Sequence, residues 1–484
     1  MVVLAAAAVV CAGSLAGAGS APAAASVRAA VVLVHWGRAE EVPGMGTLNA
    51  GGNAAVISVS CWRAGDCTAG GFYTDASGHQ QAFVVDESNG AWGKAQQLPG
   101  TAVLNAGGSA QVTVMSCAPR GYCGAGGYYH DGKGNQQAFV ASQTSGRWGT
   151  AAEVPGTGKL NVGGLALVRS VSCPSAGNCA AGGYYQTYNP PGTGDNSFQA
   201  FVVSEHKGRW AKAEDVPGIG ALAPPPDENN SVVSVSCASA GNCTAGGYWN
   251  PGVTGVSCSD CGFVLTEVNG RWHGLVQPKG GGPVSSVACW HAGDCAAAGY
   301  RQSAGSGSPI FGYVETQANG RWGKAHQFAS RLNLGIGSVS CPSAGNCATG
   351  GDGGSCECDA GYSYGAFVFS QHYGRWGKVD YLTGPASLGT VTSLECSSSG
   401  NCGAGGSGYV GNDLYGNVLT QAFVVGERDG RWTAAETPPG EAALNLGGNS
   451  QVNQVSCPSA SSCAAGGYYT DAAGHAQAFV DGSK

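Results

Sequence analysis

Short apolar or alternating runs, bounded by glycine, asparagine or proline, recur along most of the chain. One stretch contains four of them: Val168–Cys173, Cys179–Tyr185, Gln199–Ser204 and Arg209–Val216. Their β-branched, aromatic or alternating residues are typical of strands, which we name a, b, c and d. The c–d turn is short and contains glycine, as in Asn89-Gly90, which suits a tight hairpin. The pattern predicts a four-stranded antiparallel meander.

The meander recurs, and each copy carries two cysteines that enclose five residues. The first cysteines of successive pairs lie 52 to 64 residues apart. A four-stranded unit repeated in this way predicts the blades of a β-propeller. Because this is not a usual spacing for zinc ligands, we expect no metal and a disulfide across each a–b loop. The predicted bonds join Cys61 to Cys67, Cys117 to Cys123, Cys173 to Cys179, Cys237 to Cys243, Cys289 to Cys295, Cys341 to Cys347, Cys396 to Cys402 and Cys457 to Cys463.

The two ends of the repeat array are complementary. A d-strand tryptophan, Trp36, comes first with no a, b or c strand before it, and the last repeat stops after its c strand. An N-terminal strand beside the last c strand would leave no open edge. We therefore expect an all-β fold, an eight-bladed β-propeller of four-stranded antiparallel blades closed by that strand, in one domain over residues 26–484. An open solenoid is the alternative.

The N-terminal segment is apolar and rich in small residues. Residues 2–18 lead into Ala21-Pro22-Ala23-Ala24-Ala25, which suits signal peptidase, so residues 1–25 are predicted to be a signal peptide. The chain has no Lys or Arg before Arg28, which a start site placed too far downstream would explain. An alanine-rich tail is the alternative. The 21 cysteines favour export, and we expect a secreted protein, extracellular or associated with the cell wall.

Composition excludes two classes of partner. Charged residues make up 11% of the chain, and 84 positions are glycine, which disfavours long helices. The net charge of -7 provides no basic stripe for nucleic acid. Past the N-terminus, no apolar run is long enough to span a membrane.

Four further cysteines, Cys258, Cys261, Cys356 and Cys358, lie in two insertions between strands b and c. If these insertions met, the four thiols would be able to hold a metal ion. In an oxidising compartment, two local loop disulfides are the better interpretation.

The motif S-C-P-S-A-G-N-C-x-A-G-G, followed by an N-G-R-W-G turn, resembles secreted actinobacterial repeat proteins. Their blades are similar to the BNR, or Asp-box, repeats of sialidase-like propellers. The resemblance covers almost the whole mature chain and implies a propeller. The Asp-boxes are degenerate, since the run 204–210 lacks the aspartate and has a shorter glycine-to-tryptophan spacing. No catalytic residue is carried over.

The b–c loops and d–a linkers share one face of such a fold and hold nearly all of its variation, which favours that face for binding. Their aspartate, aromatic and amide groups suit sugar hydroxyls, and the alternative is that they only shape turns. We expect the repeated aromatic residues of strand b and the repeated phenylalanines of strand c to be core, and we single out no arginine. The candidate ligand-binding residues are Tyr73, Asp75, His79, Tyr129, Asp131, Tyr469, Asp471 and His475 in the loops and Asn49, Asn105, Asn161 and Asn445 in the linkers.

Three function classes remain open. A secreted binding or surface-interaction propeller, with a carbohydrate or cell-surface polymer as partner, best explains the repetition and low charge. A sialidase-like glycoside hydrolase or lyase and a structural cell-envelope protein are the alternatives. The sequence contains no nucleophile-elbow, zinc-protease or P-loop motif, and we expect no cofactor.

Overall fold

A computed structural model describes residues 34–188, 197–222, 229–250, 261–302, 310–328, 333–357, 361–413 and 416–482. These residues belong to one compact unit, Leu33–Lys484. The predicted signal peptide, residues 1–25, lies outside the described residues, as do Cys258 and Cys358.

The chain forms successive antiparallel meanders, which we number as repeats 1 to 8. The first two strands, β1 (His35–Trp36) and β2 (Glu40–Glu41), precede repeat 1. The a, b and c strands of repeats 1 to 4 are β3 (Ala54–Arg63), β4 (Asp66–Thr74) and β5 (Gln80–Ser88); β8 (Ala110–Ala118), β9 (Tyr122–His130) and β10 (Gln136–Thr144); β13 (Ala166–Ser175), β14 (Asn178–Tyr188) and β15 (Ser197–His206); and β18 (Asn229–Ser239), β19 (Asn242–Asn250) and β20 (Cys261–Val268). Those of repeats 5 to 8 are β22 (Val284–His291), β23 (Asp294–Gln302) and β24 (Ile310–Ala318); β26 (Asn333–Ser343), β27 (Asn346–Glu357) and β28 (Gly361–His372); β31 (Gly389–Ser398), β32 (Asn401–Asn412) and β33 (Val418–Arg428); and β35 (Ser450–Ser459), β36 (Ser462–Thr470) and β37 (Ala476–Asp481).

The d positions are shorter and are often split in two. They comprise β6 (Ala91–Trp92) and β7 (Gln96–Gln97), β11 (Arg147–Trp148) and β12 (Ala152–Glu153), β16 (Arg209–Trp210) and β17 (Glu214–Asp215), β21 (Arg271–Val276), β25 (Arg321–Phe328), β29 (Arg375–Trp376) and β30 (Asp380–Tyr381), and β34 (Arg431–Trp432). Single helical turns occupy several d–a linkers: α1 (Met45–Leu48), α2 (Thr101–Leu104), α3 (Thr157–Leu160) and the 3-10 turns Ile219–Ala221, Gly384–Ala386 and Glu441–Ala443. Among the described residues, no helix is long and apolar enough to cross a membrane.

The connections between strands lie on two opposite sides of each meander, because successive strands are antiparallel. In repeat 1, the Gly90 amide of the c–d turn donates to the Gly65 carbonyl of the a–b loop at 2.8 Å. On the other side, the amide of Gln80, the first c-strand residue after the b–c loop, donates at 3.0 Å to the Gly108 carbonyl in the d–a linker that leads to repeat 2. The disulfide-bearing a–b loops therefore lie beside the c–d turns, and the b–c loops lie beside the linkers.

All eight predicted disulfides lie within their own repeats, with Cα–Cα distances of 3.9 to 4.1 Å. The bonds join Cys61 to Cys67, Cys117 to Cys123, Cys173 to Cys179, Cys237 to Cys243, Cys289 to Cys295, Cys341 to Cys347, Cys396 to Cys402 and Cys457 to Cys463. Cys261 is disulfide-bonded as well. No group of three or more metal-ligating side chains occurs among the described residues. The cysteine pairs are therefore structural bonds of the a–b loops.

Every a strand contains one extra residue at the same place. In β13 the pairing with β14 shifts between Val168 and Ser170, which leaves Arg169 as the bulged residue. Its counterparts in the other repeats are Ile57, Thr113, Val233, Ser285, Gly337, Thr392 and Asn453. Several of these side chains bond to the next a strand; Thr113 Oγ1, for example, donates to the Val168 carbonyl at 2.6 Å.

Adjacent a strands are joined by hydrogen bonds from backbone to serine. The Cys117 amide donates to Ser60 Oγ of the preceding a strand at 3.0 Å, and four later junctions repeat this bond. The last strand also meets the first, because the Cys61 amide donates to Ser456 Oγ at 3.0 Å across 395 residues of sequence.

The N-terminal strands pair with repeat 8. Glu40 and Glu41 of β2 lie opposite Val480 and Phe479 of the c strand, in antiparallel register. Trp36 does not pair with a c strand as the other d-strand tryptophans do, because β37 ends at Asp481 and has no residue opposite Trp36 in the described part of the chain. It pairs in parallel with the b strand, opposite Cys463.

The core lies between neighbouring sheets. Large aromatic residues at one c-strand position are almost fully buried, as the sequence predicted for the repeated phenylalanines: Phe83, Phe139, Phe201, Phe263, Tyr313, Phe367, Phe423 and Phe479. Burying such a side chain contributes about 1.5 to 3 kcal/mol, so packing between neighbouring sheets stabilises each repeat.

Buried polar pairs also cross the junctions between repeats. Ser142 Oγ donates to Glu205 Oε1 at 2.9 Å, whereas at the preceding junction Gln143 Nε2 donates to Asp86 Oδ1 at 2.8 Å. At one junction the residue of the earlier repeat is a carboxylate, Asp86, and the residue of the later repeat is an amide donor, Gln143. At the next junction the roles are reversed, because the earlier residue is a hydroxyl donor, Ser142, and the later residue is a carboxylate, Glu205. Both combinations make one hydrogen bond across the junction.

This pairing predicts the outcome of a double substitution. Gln143→Glu would place a second buried carboxylate against Asp86, and we expect it to lower the free energy of unfolding by about 2 kcal/mol at neutral pH. Asp86→Ser combined with Gln143→Glu should recover most of that loss. Urea unfolding of the wild type and the two variants measures the change in unfolding free energy, and a double variant no more stable than Gln143→Glu would contradict the pairing.

Candidate ligand-binding site

The three aspartates predicted to bind a ligand are hydrogen-bonded within their own hairpin turns. Asp471 Oδ1 accepts the Ala473 and His475 amides at 2.8 and 2.9 Å, and Oδ2 accepts Gln477 Nε2 at 3.0 Å. Asp75 and Asp131 accept equivalent bonds. The bond from Gln477 and those from the backbone lower the pKa of Asp471. These carboxylates are ionised turn residues that point into the hairpin.

The predicted linker asparagines join neighbouring repeats. Asn49 Nδ2 donates to the Ala476 carbonyl at 3.1 Å and to Gln477 Oε1 at 2.9 Å, while its Oδ1 accepts the Asn53 amide. Asn105 and Asn161 make the equivalent donor contacts with the preceding c strands. Asn445 Nδ2 donates to Ser450 Oγ. The first three are buried, and all four hold the linkers in place.

The predicted tyrosines and histidines lie in two different environments. Tyr73, Tyr129 and Tyr469 are 3 to 5% exposed. His79 and His475 lie against linker glycines of the next repeat, so that a Cβ on Gly108 or Gly52 would meet the imidazole within 3 Å. The structure therefore places the predicted residues on one side of the meanders but does not gather them into one pocket.

A groove on that same side, between repeats 3 and 4, brings unlike side chains together. It encloses about 300 Å³ and is lined by Leu167 and by six residues that give it its chemistry: Arg169, Tyr184, Phe198, Asn229, Ser231 and Tyr248. We call it the Arg169 groove. Its two walls come from separate repeats, because Phe198 of β15 lies opposite Asn229 of β18 in parallel register.

The bulge in β13 positions the arginine. Arg169 is exposed, and its guanidinium carbon lies 6.0 Å from the centre of the Tyr184 ring. Tyr184 in turn meets Phe198 edge to face, with ring centres 5.3 Å apart. Burial raises the pKa of the Tyr184 hydroxyl, although the Arg169 charge acts in the opposite direction. The phenol is therefore neutral and can donate a hydrogen bond.

Sequence reasoning missed this groove. We expected Tyr184 to be core, and it is only partly buried. Arg169 was not singled out, yet among the eight bulge positions it is the one that carries a charge. That departure from the repeat was the available signal.

No family model matches the chain, and no curated protein matches it. Several solved structures are similar to it. YCF48 from Cyanidioschyzon merolae is 10% identical, with 92% of this chain and 98% of that one covered and a TM-score of 0.41. The BP39L lectin from Burkholderia pseudomallei is 12% identical, over 80% and 99% of the two chains, with a TM-score of 0.43.

The β-propeller domain of the Trilobed protease from Pyrococcus furiosus is also similar, at 8% identity over 79% of this chain and 97% of that one, with a TM-score of 0.42. Because these TM-scores lie below 0.5, the similarities transfer neither a ligand nor an activity to this chain.

Proposed function

We propose that the protein is a secreted, eight-bladed, closed β-propeller over residues 26–484 that acts as a carbohydrate-binding or surface-interaction module. Three observations support the closed ring: the eight repeats, the bond from Cys61 to Ser456, and the pairing of Glu40 with Val480. Eight disulfides among the described residues suit an extracellular protein.

The observation that carries the binding proposal is the Arg169 groove. Its aromatic rings provide flat apolar surfaces for the C–H face of a sugar, and Asn229 and the Tyr184 hydroxyl provide hydrogen bonds. Ligand pockets commonly combine aromatic walls with a few polar groups in this way. A saccharide matches both kinds of surface.

The charge of the groove favours an acidic saccharide. Arg169 is the one charged side chain among the described lining residues, and a guanidinium pairs with a carboxylate through two parallel hydrogen bonds. A uronic acid residue would place its carboxylate on Arg169 and its ring on Tyr184 or Tyr248.

The same lining favours binding over hydrolysis. Glycoside hydrolases generally use a pair of carboxylic residues on either side of the scissile bond. The described residues of the Arg169 groove include neither aspartate nor glutamate. The described lining therefore has the groups that hold a sugar, and it supplies no carboxylate to cleave one.

Calorimetric titration of the full chain with an oligogalacturonate tests the proposal. Arg169→Ala should weaken binding by roughly 10- to 100-fold, because it removes a charge-assisted interaction. Arg147→Ala is the matched control, since Arg147 is an exposed arginine on the opposite c–d turns. A triple variant with Asp75, Asp131 and Asp471 each changed to alanine tests the loop residues predicted from sequence.

Each outcome assigns the site. Loss of binding only in Arg169→Ala places the ligand in the groove, and loss only in the aspartate variant moves it to the b–c loops of repeats 1, 2 and 8. Binding unchanged by both, or lost in Arg147→Ala, would contradict a ligand site on this side of the molecule.

A further inference from the structure

Six consecutive repeats carry an exposed arginine at one and the same place. Each of these arginines begins a d strand directly after the c–d turn and lies opposite the last residue of the c strand. All six side chains are exposed. They therefore lie on the side of the meanders that holds the a–b loops and c–d turns, which we call the turn side. The six, which we call the turn arginines, are Arg147, Arg209, Arg271, Arg321, Arg375 and Arg431.

The turn arginines have no structural partner in the described part of the chain. None of their side chains makes a hydrogen bond, an ion pair or a ring contact there. The tryptophan that follows is different, since Trp432 Nε1, for example, donates to Ser370 Oγ at 3.0 Å. Repeat 1 has Ala91 in place of the arginine and still pairs it with Ser88 across the same hairpin. The turn does not require the arginine, so its repetition points to a partner outside the chain.

The carboxylates of the turn side do not cancel this charge. Asp66 pairs with Arg63, and Asp429 lies 3.8 Å from Arg428. The glutamates near the ends of the c strands are at most 4% exposed, and burial raises the pKa of two of them, Glu267 and Glu427. The carboxylates concerned are Asp66, Asp294 and Asp429 in the loops and turns, and Asp86, Glu87, Glu205, Glu267 and Glu427 in the last three residues of the c strands of repeats 1 to 7. The exposed charge of the turn side is therefore mainly positive, although the whole chain carries -7.

One c–d turn also presents an aromatic side chain to solvent. Tyr373 is 93% exposed and has a φ of 50°, a conformation in which a bulky residue is an outlier. Its ring contacts no other ring among the described residues, and tyrosine is typical of the boundary between lipid and water. Tyr373 and Arg375 belong to the same turn. The other described turns have small or polar residues in place of the tyrosine: Asn89, Ser145, Lys207, Asn269, Asn319 and Asp429.

We propose that the turn side docks on the surface of an anionic phospholipid bilayer, with the turn arginines on headgroup phosphates and Tyr373 at the boundary with the lipid. Sheets packed face to face lie about 10 Å apart, so arginines of neighbouring repeats are too widely spaced to share one small anion. A bilayer presents many phosphates in one plane, and a guanidinium binds phosphate through two parallel hydrogen bonds. The Arg169 groove lies on the opposite side, so this proposal does not depend on saccharide binding.

Cosedimentation of the full chain with phospholipid vesicles tests the proposal. We expect binding to vesicles that contain phosphatidylglycerol, little binding to pure phosphatidylcholine, and loss of binding at about 1 M salt. Each basic residue at an anionic surface strengthens binding roughly five-fold, so a variant with Arg209, Arg271 and Arg321 each changed to glutamine should bind roughly 100-fold more weakly. The matched control changes Lys133, Lys159 and Arg301, which are exposed on the other side, to glutamine and should bind as the wild type does.

Two further measurements complete the test. Tyr373→Asn places in repeat 6 the residue that repeat 1 has in this turn, so it should fold and should bind the vesicles several-fold more weakly. Immobilised polyphosphate separates a bilayer from a soluble anionic polymer. Binding to polyphosphate without binding to vesicles would overturn the proposal, as would vesicle binding that survives the three arginine substitutions or is lost equally in the control. Unchanged binding of Tyr373→Asn would overturn the position of the tyrosine at the lipid boundary.

Discussion

A chain that lacks residues 34–42 is expected to lose its single cooperative thermal transition and to associate in solution. This segment covers the last c strand: Glu41 pairs with Phe479, the Val42 amide donates to the Ala478 carbonyl at 3.0 Å, and the Val42 side chain is fully buried. Without it, β37 presents an unpaired edge, and such edges pair with other chains. Scanning calorimetry and size-exclusion chromatography measure the two effects.

A circular permutant provides the control. Residues 34–50, joined through a flexible linker behind residue 482, would restore the same strand from the other end of the chain. We expect this permutant to melt close to the full-length protein. A deletion variant that melts as cooperatively as the full-length protein, and remains monomeric, would contradict the closed ring.

Gly183→Ala is expected to destabilise the protein by about 3 kcal/mol, the upper part of the usual range for overpacking. An added Cβ would lie 1.9 Å from the carbonyl oxygen of Leu167, which lies on the a strand two residues before the bulged Arg169. Relief of that contact would require separation of β13 from β14 where their register shifts. Equivalent glycines approach the neighbouring a strand as closely in every repeat: Gly71, Gly127, Gly247, Gly299, Gly351, Gly406 and Gly467.

The control is Gly220→Ala, in the 3-10 turn Ile219–Ala221, where a Cβ would meet nothing within 4 Å. It should leave stability unchanged or raise it slightly. Chemical denaturation of both variants gives the comparison. Similar unfolding free energies for the two would show that the close approach in the a–b pair does not govern stability.

The strands and turns were predictable because their signals are local. The alternation of apolar residues and the Gly-bearing c–d turns lie within a few positions of each other, as in Asn89-Gly90. The bulge was not predicted, since Val168 to Val171 reads as continuous strand and an extra residue appears only when the partner strand is known. The paired glycines of strand b were the available sign, because glycine inside a strand often marks close backbone approach.

The candidate site was harder to predict, because it depends on two repeats at once. Asp75 was recognised as a turn former or a ligand, and its hydrogen bonds to Ser77, His79 and Gln81 are turn contacts. Arg169 lines the groove together with Tyr184 of its own repeat and Tyr248 of the next repeat, and the two tyrosines are 64 positions apart in sequence. No local pattern reports that approach. Comparison of the bulge residues across repeats would have indicated it.

A crystal structure of the full chain with a bound trigalacturonate would show where the ligand lies. We expect a sugar ring against Tyr184 or Tyr248, with its carboxylate on the Arg169 guanidinium. A ligand seated in the b–c loops at Asp75, Asp131 or Asp471, or on the side of the disulfide loops, would contradict the assignment of the Arg169 groove as the binding site.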